Sequence, residues 1–491
     1  MKLKNEEIAA RLESIIQDLI GARCLVNPFF RISKLTPEQI KSYRFLFINY
    51  SRMILIFLTF ICIPINLIKI TLQFSLSILF SYQYLLFKPQ DITPKILFIS
   101  HGIGANLTKK DSDQFFASMP DYLKDKNLST AIIYTNHSKF GYYRRLKLIK
   151  SKSSDINRLL VPKFLKPTEM IKYTANIVTM YLKCLRIAIV KFIDDPVTSK
   201  ILLNGAITFF DRPTHSNYLL FKRVADLCSE NTECKIFLTF EGHSYEQYIV
   251  DSLSETFTKL RVVMYQHSPI TLAHVGIKHF LQNNKRNVSI LTTGSYYLNY
   301  LRDISTIPNY ILIGSNKFEL IQNNNETLKG TSILFAPEGT ISASKDFIKL
   351  INYLSKKDSS HVYVLRLHPN LPRKLILFIL LVKLKRQKNF ILSKNSLQID
   401  LNSSAYLFYR SSAVGIQALN SNATLVFFSS QEFVNLNVLS MNCDAFVSIS
   451  SFEAALDLVK SNTLKQASQS KNRDLPNLFA ELDYKKLDLI Y

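Results

Sequence analysis

The sequence predicts an α/β protein with two parallel-sheet domains, preceded by an apolar helical region. Three observations carry this reading. Short apolar runs recur along the chain, each ending in a small or polar turn, with stretches of helical character between them. The Asn-rich stretch 321–330, closed by Gly330, separates these runs into two sets. The length, 491 residues, exceeds what a single core usually serves. The expected organisation is an N-terminal helical, membrane-associated region (1–90), a first α/β domain (91–325), a second α/β domain (326–465) and a tail (466–491).

In the N-terminal region, Ile8, Leu12, Ile15, Ile16 and Leu19 fall on one face of a short amphipathic helix. Residues 53–87 are the most apolar stretch. A spanning helix needs about 20 apolar residues, and here Pro64, Asn66 and Lys69 divide two shorter pieces. Basic residues flank both ends: Lys41, Arg44 and Arg52 before, Lys88 and Lys95 after. The positive-inside rule then selects no orientation. A re-entrant or interfacial hairpin is expected, with a buried helical hairpin as the alternative.

From residue 95 the pattern changes. Lys95–Ser100 reads as a buried strand running into His101-Gly102-Ile103-Gly104, and 130–138 as a second strand, with a helix near 111–125 between them. The third glycine of a dinucleotide fingerprint is absent, so a nicotinamide site is not expected. Residues 141–200 read as basic and largely helical. Strands then recur at 235–240, 262–265, 289–293 and 310–313, and in the second domain at 333–336, 362–367 and 405–409. The run Leu375–Val382, with basic ends, is too short to span a membrane and reads as a core or interfacial helix. The tail is polar and expected to be mobile as far as Leu478-Phe479, where apolar residues could dock.

Composition bounds the function. With 47% hydrophobic and 20% charged residues the chain is globular rather than disordered. Its net charge of +24 favours anionic partners: a membrane surface, nucleic acid or phosphorylated ligands. No nucleic-acid module is recognisable and the charge is spread rather than striped, so no nucleic-acid partner is expected. The six cysteines are scattered without a C-x-x-C pair, which suggests neither a zinc site nor a disulfide framework and fits a reducing compartment.

The chemistry-bearing residues sit at predicted strand ends, where open α/β sheets bind ligands. In the second domain, Pro337-Glu338-Gly339 offers a carboxylate for sugar hydroxyls, or a first-turn helix acid. His368-Pro369, after Arg366, offers an imidazole to a phosphate oxygen. Ser411-Ser412 offers hydroxyls and free backbone N–H groups at a helix start, which is both a helix cap and an anion site. In the first domain, Glu241 is placed to deprotonate an attacking hydroxyl. His243 and His267 are competitors or partners in that task, and Glu246, His101 and Gly102 are further candidates for the same side. No metal-ligand spacing is present.

This ordered set resembles the GT-B glycosyltransferases, and among them the bacterial surface-carbohydrate biosynthesis family of capsule and lipopolysaccharide transferases. The resemblance covers roughly 95–460. It rests on Ile99-Ser100-His101, Tyr134-Thr135-Asn136-His137, Phe240-Glu241-Gly242 with Tyr245-Glu246, Tyr265-Gln266-His267-Ser268, Pro337-Glu338-Gly339, Arg366-Leu367-His368-Pro369 and Arg410-Ser411-Ser412. It implies two Rossmann-like domains facing a cleft. Glu-Gly, His-Pro and Ser-Ser are similar to the motifs of bacterial sialyltransferases and related nonulosonic acid transferases. That likeness implies Glu241 as base, His368 and Ser411-Ser412 on a CMP phosphate, and no metal or other cofactor beyond the nucleotide-sugar donor. Pro337, Glu338, Gly339, Arg366 and Pro369 would complete the donor side. His101, Gly102, His243, Glu246 and His267 would complete the acceptor side. The sequence departs from that pattern at Phe240, where the first acid of the pair is expected. His-Pro also occurs in wall-polymer alditol phosphate transferases, so a CDP-alditol donor stays open. The expected acceptor is a lipid-linked or growing glycan, and the expected location is the cytoplasmic face of the inner membrane.

Overall fold

The computed structural model describes residues 93–100, 113–135 (except 114), 156–161, 165–229, 233–256, 260–271, 274–283, 288–315, 331–368, 371, 375–410, 414–419, 421–429 (except 422), 437, 446–461 and 478–490. It also describes 14–15 and scattered helical residues between 57 and 79. The expectations for the helix at 5–20, for most of 53–87 and for the linker at 321–330 lie outside the described residues.

The first domain is a seven-stranded parallel sheet in the order β3-β2-β1-β4-β5-β6-β7. Its strands are β1 (Ile96–Ser100), β2 (Thr130–Tyr134), β3 (Asn157–Leu160), β4 (Lys235–Thr239), β5 (Arg261–Gln266), β6 (Val288–Thr292) and β7 (Asn309–Leu312). β1 and β2 are buried at every position, and β4 and β5 at all but their first residue. A parallel sheet covered on both faces requires this, which is why these strands read as unbroken apolar runs rather than alternating ones. The helices are α1 (Met119–Asp125), α2 (Pro167–Val190), α3 (Pro196–Thr208), α4 (Arg212–Ser229), α5 (Ser244–Thr256), α6 (Val275–Asn283) and α7 (Ser295–Ile304). α2 is long and apolar enough to cross a membrane. Its stripe Met170, Tyr173, Ile177, Tyr181, Cys184 and Ala188 is nevertheless buried in the first domain's core, as in an amphipathic surface helix.

The second domain is a six-stranded parallel sheet in the order β10-β9-β8-β11-β12-β13. Its strands are β8 (Ser332–Ala336), β9 (Val362–Leu365), β10 (Phe390–Leu392), β11 (Ser404–Tyr409), β12 (Thr424–Phe428) and β13 (Phe446–Ile449). Its helices are α8 (Ile341–Lys357), α9 (Leu375–Leu384), α10 (Leu397–Asn402), α11 (Val414–Gln417) and α12 (Phe452–Ser461). Phe335 stacks on Phe408 at 4.8 Å between ring centres, joining β8 to β11 through the core.

Two sheets of this winding in one chain form the two-domain α/β architecture of the GT-B type. Four strands went unread in the sequence. β3 lies where a basic helical region was expected, and β10, β12 and β13 flank the read strands. In each sheet the chain winds outward in one direction and returns to wind in the other. The switch points therefore lie between β1 and β4, and between β8 and β11.

The domains share apolar packing. One continuous buried cluster contains Ile236 and Leu238 of β4, Leu334 and Ala336 of β8, Leu407 and Tyr409 of β11, and Leu478 and Phe479. After Phe479 the chain crosses the carboxyl ends of β6 and β7. The Ala480 N–H donates to the Thr293 carbonyl at 2.7 Å, and the Ser315 N–H donates to the Ala480 carbonyl at 2.9 Å. A 3-10 helix (Tyr484–Ile490) then buries Leu487 and Ile490 against Phe98, Phe116 and Met119.

Candidate functional site

The turn after β4 is set by its own sequence. Gly242 has φ +76°, and a Cβ there would lie 2.5 Å from the Ile277 nitrogen, so only glycine fits. That reversal folds His243 back over Glu241. α5 then begins, and Glu246, three residues after His243, accepts the His243 backbone N–H at 2.9 Å. This is one half of a capping box. Glu246 also accepts the Glu241 N–H at 3.2 Å, and the Thr239 and Tyr245 hydroxyls at 3.3 Å. It is fully buried. The expected acceptor contact of Glu246 is therefore replaced by a positioning role: its carboxylate organises the turn that carries Glu241 and His243.

Glu241 lies between two imidazoles. His243 Nε2 is 2.9 Å from Oε2, and His267 Nε2, from the turn after β5, is 3.2 Å from Oε1. Burial pushes the Glu241 carboxyl up, but the two imidazoles outweigh it and hold the group well below the usual carboxylate range. For His243, burial favours the neutral ring, yet the hydrogen bond to Glu241 and the charge of Glu246 raise it to about 9. Burial, together with the Glu241 charge, lifts Glu246 to about 7 against the pull of His243 and two backbone N–H groups. The candidates the sequence offers as competitors or partners are thus joined by hydrogen bonds. Glu241 stays ionised with both oxygens engaged, which makes it a poor proton acceptor alone. When His243 is neutral and donates from Nε2 to Glu241, its Nδ1 is the basic atom of the pair.

His267 is fixed from two further directions. Phe115 packs edge-on against it at 4.8 Å. The neighbouring Gln266 accepts from the Thr293 N–H at 3.1 Å and hydroxyl at 3.0 Å, tying the end of β5 to the end of β6. Phe115 is placed by Asp113, whose Oδ1 accepts the N–H groups of Phe115 and Phe116 and the Ser100 hydroxyl. Neither Phe115 nor Asp113 carried a motif in the sequence. Phe240 packs in the core at 5.3 Å from Phe280, so nothing acidic stands at the position before Glu241.

In the second domain the turns after β8 and β9 touch. A Cβ on Gly339 would lie 2.8 Å from His368 Nδ1. The glycine in Pro337-Glu338-Gly339 is thus the floor on which the His368 ring rests. Beside them Arg410, at the end of β11, is 1% exposed. Its guanidinium lies 3.7 Å from Glu338 Oε1 and 3.3 Å from Asp346 Oδ2. Arg410 opens the Arg410-Ser411-Ser412 motif, whose sequence alone implies no role for it. An arginine directly after the apolar run Ala405–Tyr409 is the available signal, because a buried guanidinium requires carboxylates. Arg366 donates to Asp400 at 2.9 Å and to the Asn395 carbonyl at 2.7 Å, so it ties the end of β9 to α10. His101, Gly102, Pro369, Ser411 and Ser412 lie outside the described residues.

The structure therefore gathers Glu241, His243, Glu246 and His267 at the first switch point, and Glu338, Gly339, His368 and Arg410 at the second. Among the described residues no group of three or more His, Cys, Asp or Glu is arranged to hold a metal ion. The Glu241 oxygens and the facing imidazole nitrogens are occupied with one another.

Neither protein-family models nor curated proteins match the sequence. Several solved structures share the general arrangement. A glycosyltransferase from Rickettsia africae is 13% identical, with 81% of this chain and 97% of that chain covered and a TM-score of 0.44. UDP-GlcNAc 2-epimerase from Methanocaldococcus jannaschii, solved with UDP-GlcNAc and UDP, is 10% identical over 80% and 98%, with a TM-score of 0.47. HepE from Anabaena, solved with UDP and glucose, is 9% identical over 81% and 98%, with a TM-score of 0.42. At these values the likenesses say nothing about the reaction.

Proposed function

We propose that the chain is a glycosyltransferase using a nucleotide-sugar donor, with the donor held at the second switch point and the acceptor hydroxyl activated at the first. The observation that carries this reading is the Glu241–His243 pair at the end of β4, backed by His267 and mounted on a turn that Glu246 fixes. An acceptor hydroxyl entering beside this pair loses its proton to His243, and Glu241 stabilises the resulting imidazolium. Across the cleft, His368 and the hydroxyls of Ser411 and Ser412 meet the charge developing on the departing nucleotide. Hydrogen bonds and cationic groups replace a metal in that task.

The finer assignment rests on the motif resemblance. The donor is a CMP-linked nonulosonic acid, and the acceptor is a lipid-linked or growing surface glycan, of lipopolysaccharide O-antigen or capsule type. The basic surface and the 53–87 region hold the enzyme on anionic lipid at the cytoplasmic face of the inner membrane. A thermal-shift series with CMP, CDP, UDP and GDP tests the donor: stabilisation by CMP alone supports it, and stabilisation by UDP alone overturns it. Transfer or hydrolysis of an activated sugar tests the activity. Protein that binds a nucleotide but transfers and hydrolyses nothing is not a transferase.

A further inference from the structure

α9 is an apolar helix with its outer side uncovered. It fills the crossover from β9 to the edge strand β10 and packs on α8 from one side. Of its ten residues only Leu377 and Leu384 are buried. Leu375 is 74% and Phe378 65% exposed, and Ile376, Ile379 and Val382 are exposed as well. Ten residues make a helix of about 15 Å, half the hydrocarbon thickness, so α9 cannot span a bilayer.

The charge around it is one-sided. Arg373 and Lys374 precede the helix, and Lys383, Lys385, Arg386 and Lys388 stand at its end. The last four are exposed. No aspartate or glutamate occurs between Asp358 and Asp400. An exposed apolar face bracketed by cations and free of acids complements a surface that is apolar inside and anionic at its rim, which is an anionic lipid bilayer lying flat against the helix. A protein partner would have to supply both the apolar groove and the acidic rim.

We propose that α9 is a membrane-docking helix of the second domain, seated in the interface of an anionic bilayer. It lies seven residues after His368, a span of at most about 25 Å of chain. Docking therefore brings the donor side of the site close to the lipid surface, where an acceptor carried on a lipid would be presented. The proposal deepens the membrane partner of the proposed function, but it uses a different element from 53–87 and needs no catalysis to be tested.

The chain contains no tryptophan, so one introduced residue reports on this helix alone. The full chain carrying Phe378→Trp is titrated with vesicles of phosphatidylglycerol and phosphatidylcholine, and with phosphatidylcholine alone. Ile379→Trp serves as a second reporter. The expected result with anionic vesicles is a blue shift of emission, quenching by acyl-brominated lipid, and weakening by salt. Ile376→Glu with Ile379→Glu added to the Phe378→Trp chain is expected to weaken partitioning tenfold or more. Vesicle binding by co-sedimentation without a change in emission means another segment docks, and overturns the assignment. Blue emission without vesicles, rising with protein concentration alongside a larger sedimenting species, means a second copy covers α9, and also overturns it. Absence of both binding and shift does the same. None of these outcomes bears on whether the purified chain transfers sugar.

Discussion

Gly339 and His368 are in contact across two successive strand ends, so close that a methyl group on the glycine would sit 2.8 Å from the imidazole Nδ1. The ring is therefore positioned by the absence of a side chain. Gly339→Ala is expected to displace His368 while leaving both strands intact. Donor nucleotide should bind about tenfold more weakly, roughly 1.4 kcal/mol, with little change in thermal midpoint. Calorimetric titration with nucleotide, beside a melting curve, checks this. Unchanged affinity would remove His368 from the donor site.

The Glu241–His243 pair predicts the shape of the pH profile. His243 lies at about 9, so it is mostly protonated at neutral pH and must lose that proton before accepting another. kcat/KM is expected to rise with pH toward about 9. Glu241→Gln removes the charge that holds His243 up, so the rising limb should move toward acid while the maximum falls by about 10²–10⁴-fold. If Glu241 were the sole base, the wild-type limb would lie in the acid range, and the glutamine variant would be inactive without any shifted limb.

Glu246 predicts a stability effect. Its folded value of about 7 lies above its ordinary 4.5, so between those values the folded state binds more protons than the unfolded. Its contribution falls as pH rises from 4.5 through about 7. The His243 contribution is full below 6.5 and is lost as pH rises through about 9. Glu246→Gln should flatten the pH dependence of the melting temperature between about pH 5 and 7. It should also cost about 1–3 kcal/mol, because an amide offers one acceptor oxygen to donors that now share two. Melting curves of both proteins across that range test this. Parallel curves would show that Glu246 does not titrate there.

Arg410 predicts a compensation experiment. Arg410→Met leaves Glu338 and the partly exposed Asp346 facing each other without their cation, at a cost of about 3–5 kcal/mol. Adding Glu338→Gln and Asp346→Asn should recover most of this loss, as read by denaturant unfolding. Failure of the triple variant to recover would place the role of Arg410 in packing instead of charge.

The fold was legible where burial leaves one solution. β1, β4, β5 and β8 are wholly or almost wholly apolar because both of their faces are covered, and their ends were placed within one or two residues. β10 was missed because three residues carry too little pattern, and β3 because Asn157 and Arg158 look like the basic helical region around them. The candidate site is legible in its motifs, Glu241-Gly242, His368 and Pro337-Glu338-Gly339, in so far as the structure brings these residues to the two switch points. What the sequence did not show was which groups hold which. Glu246 reads as an acceptor-side carboxylate until the donors that converge on it are visible. Phe115 reaches His267 from far along the chain, and no spacing announces such a contact.

The return of the chain to the first sheet has a consequence for the order of assembly. Leu487 and Ile490 fill the core beside Phe98 and Phe116, and Tyr484 stacks on Tyr122 at 5.7 Å between ring centres. These residues are translated only after the whole second sheet. The first domain leaves the ribosome first with one flank of its core open, and it is closed only when the far end of the chain arrives. During synthesis, the half of the molecule made earliest is the half completed last.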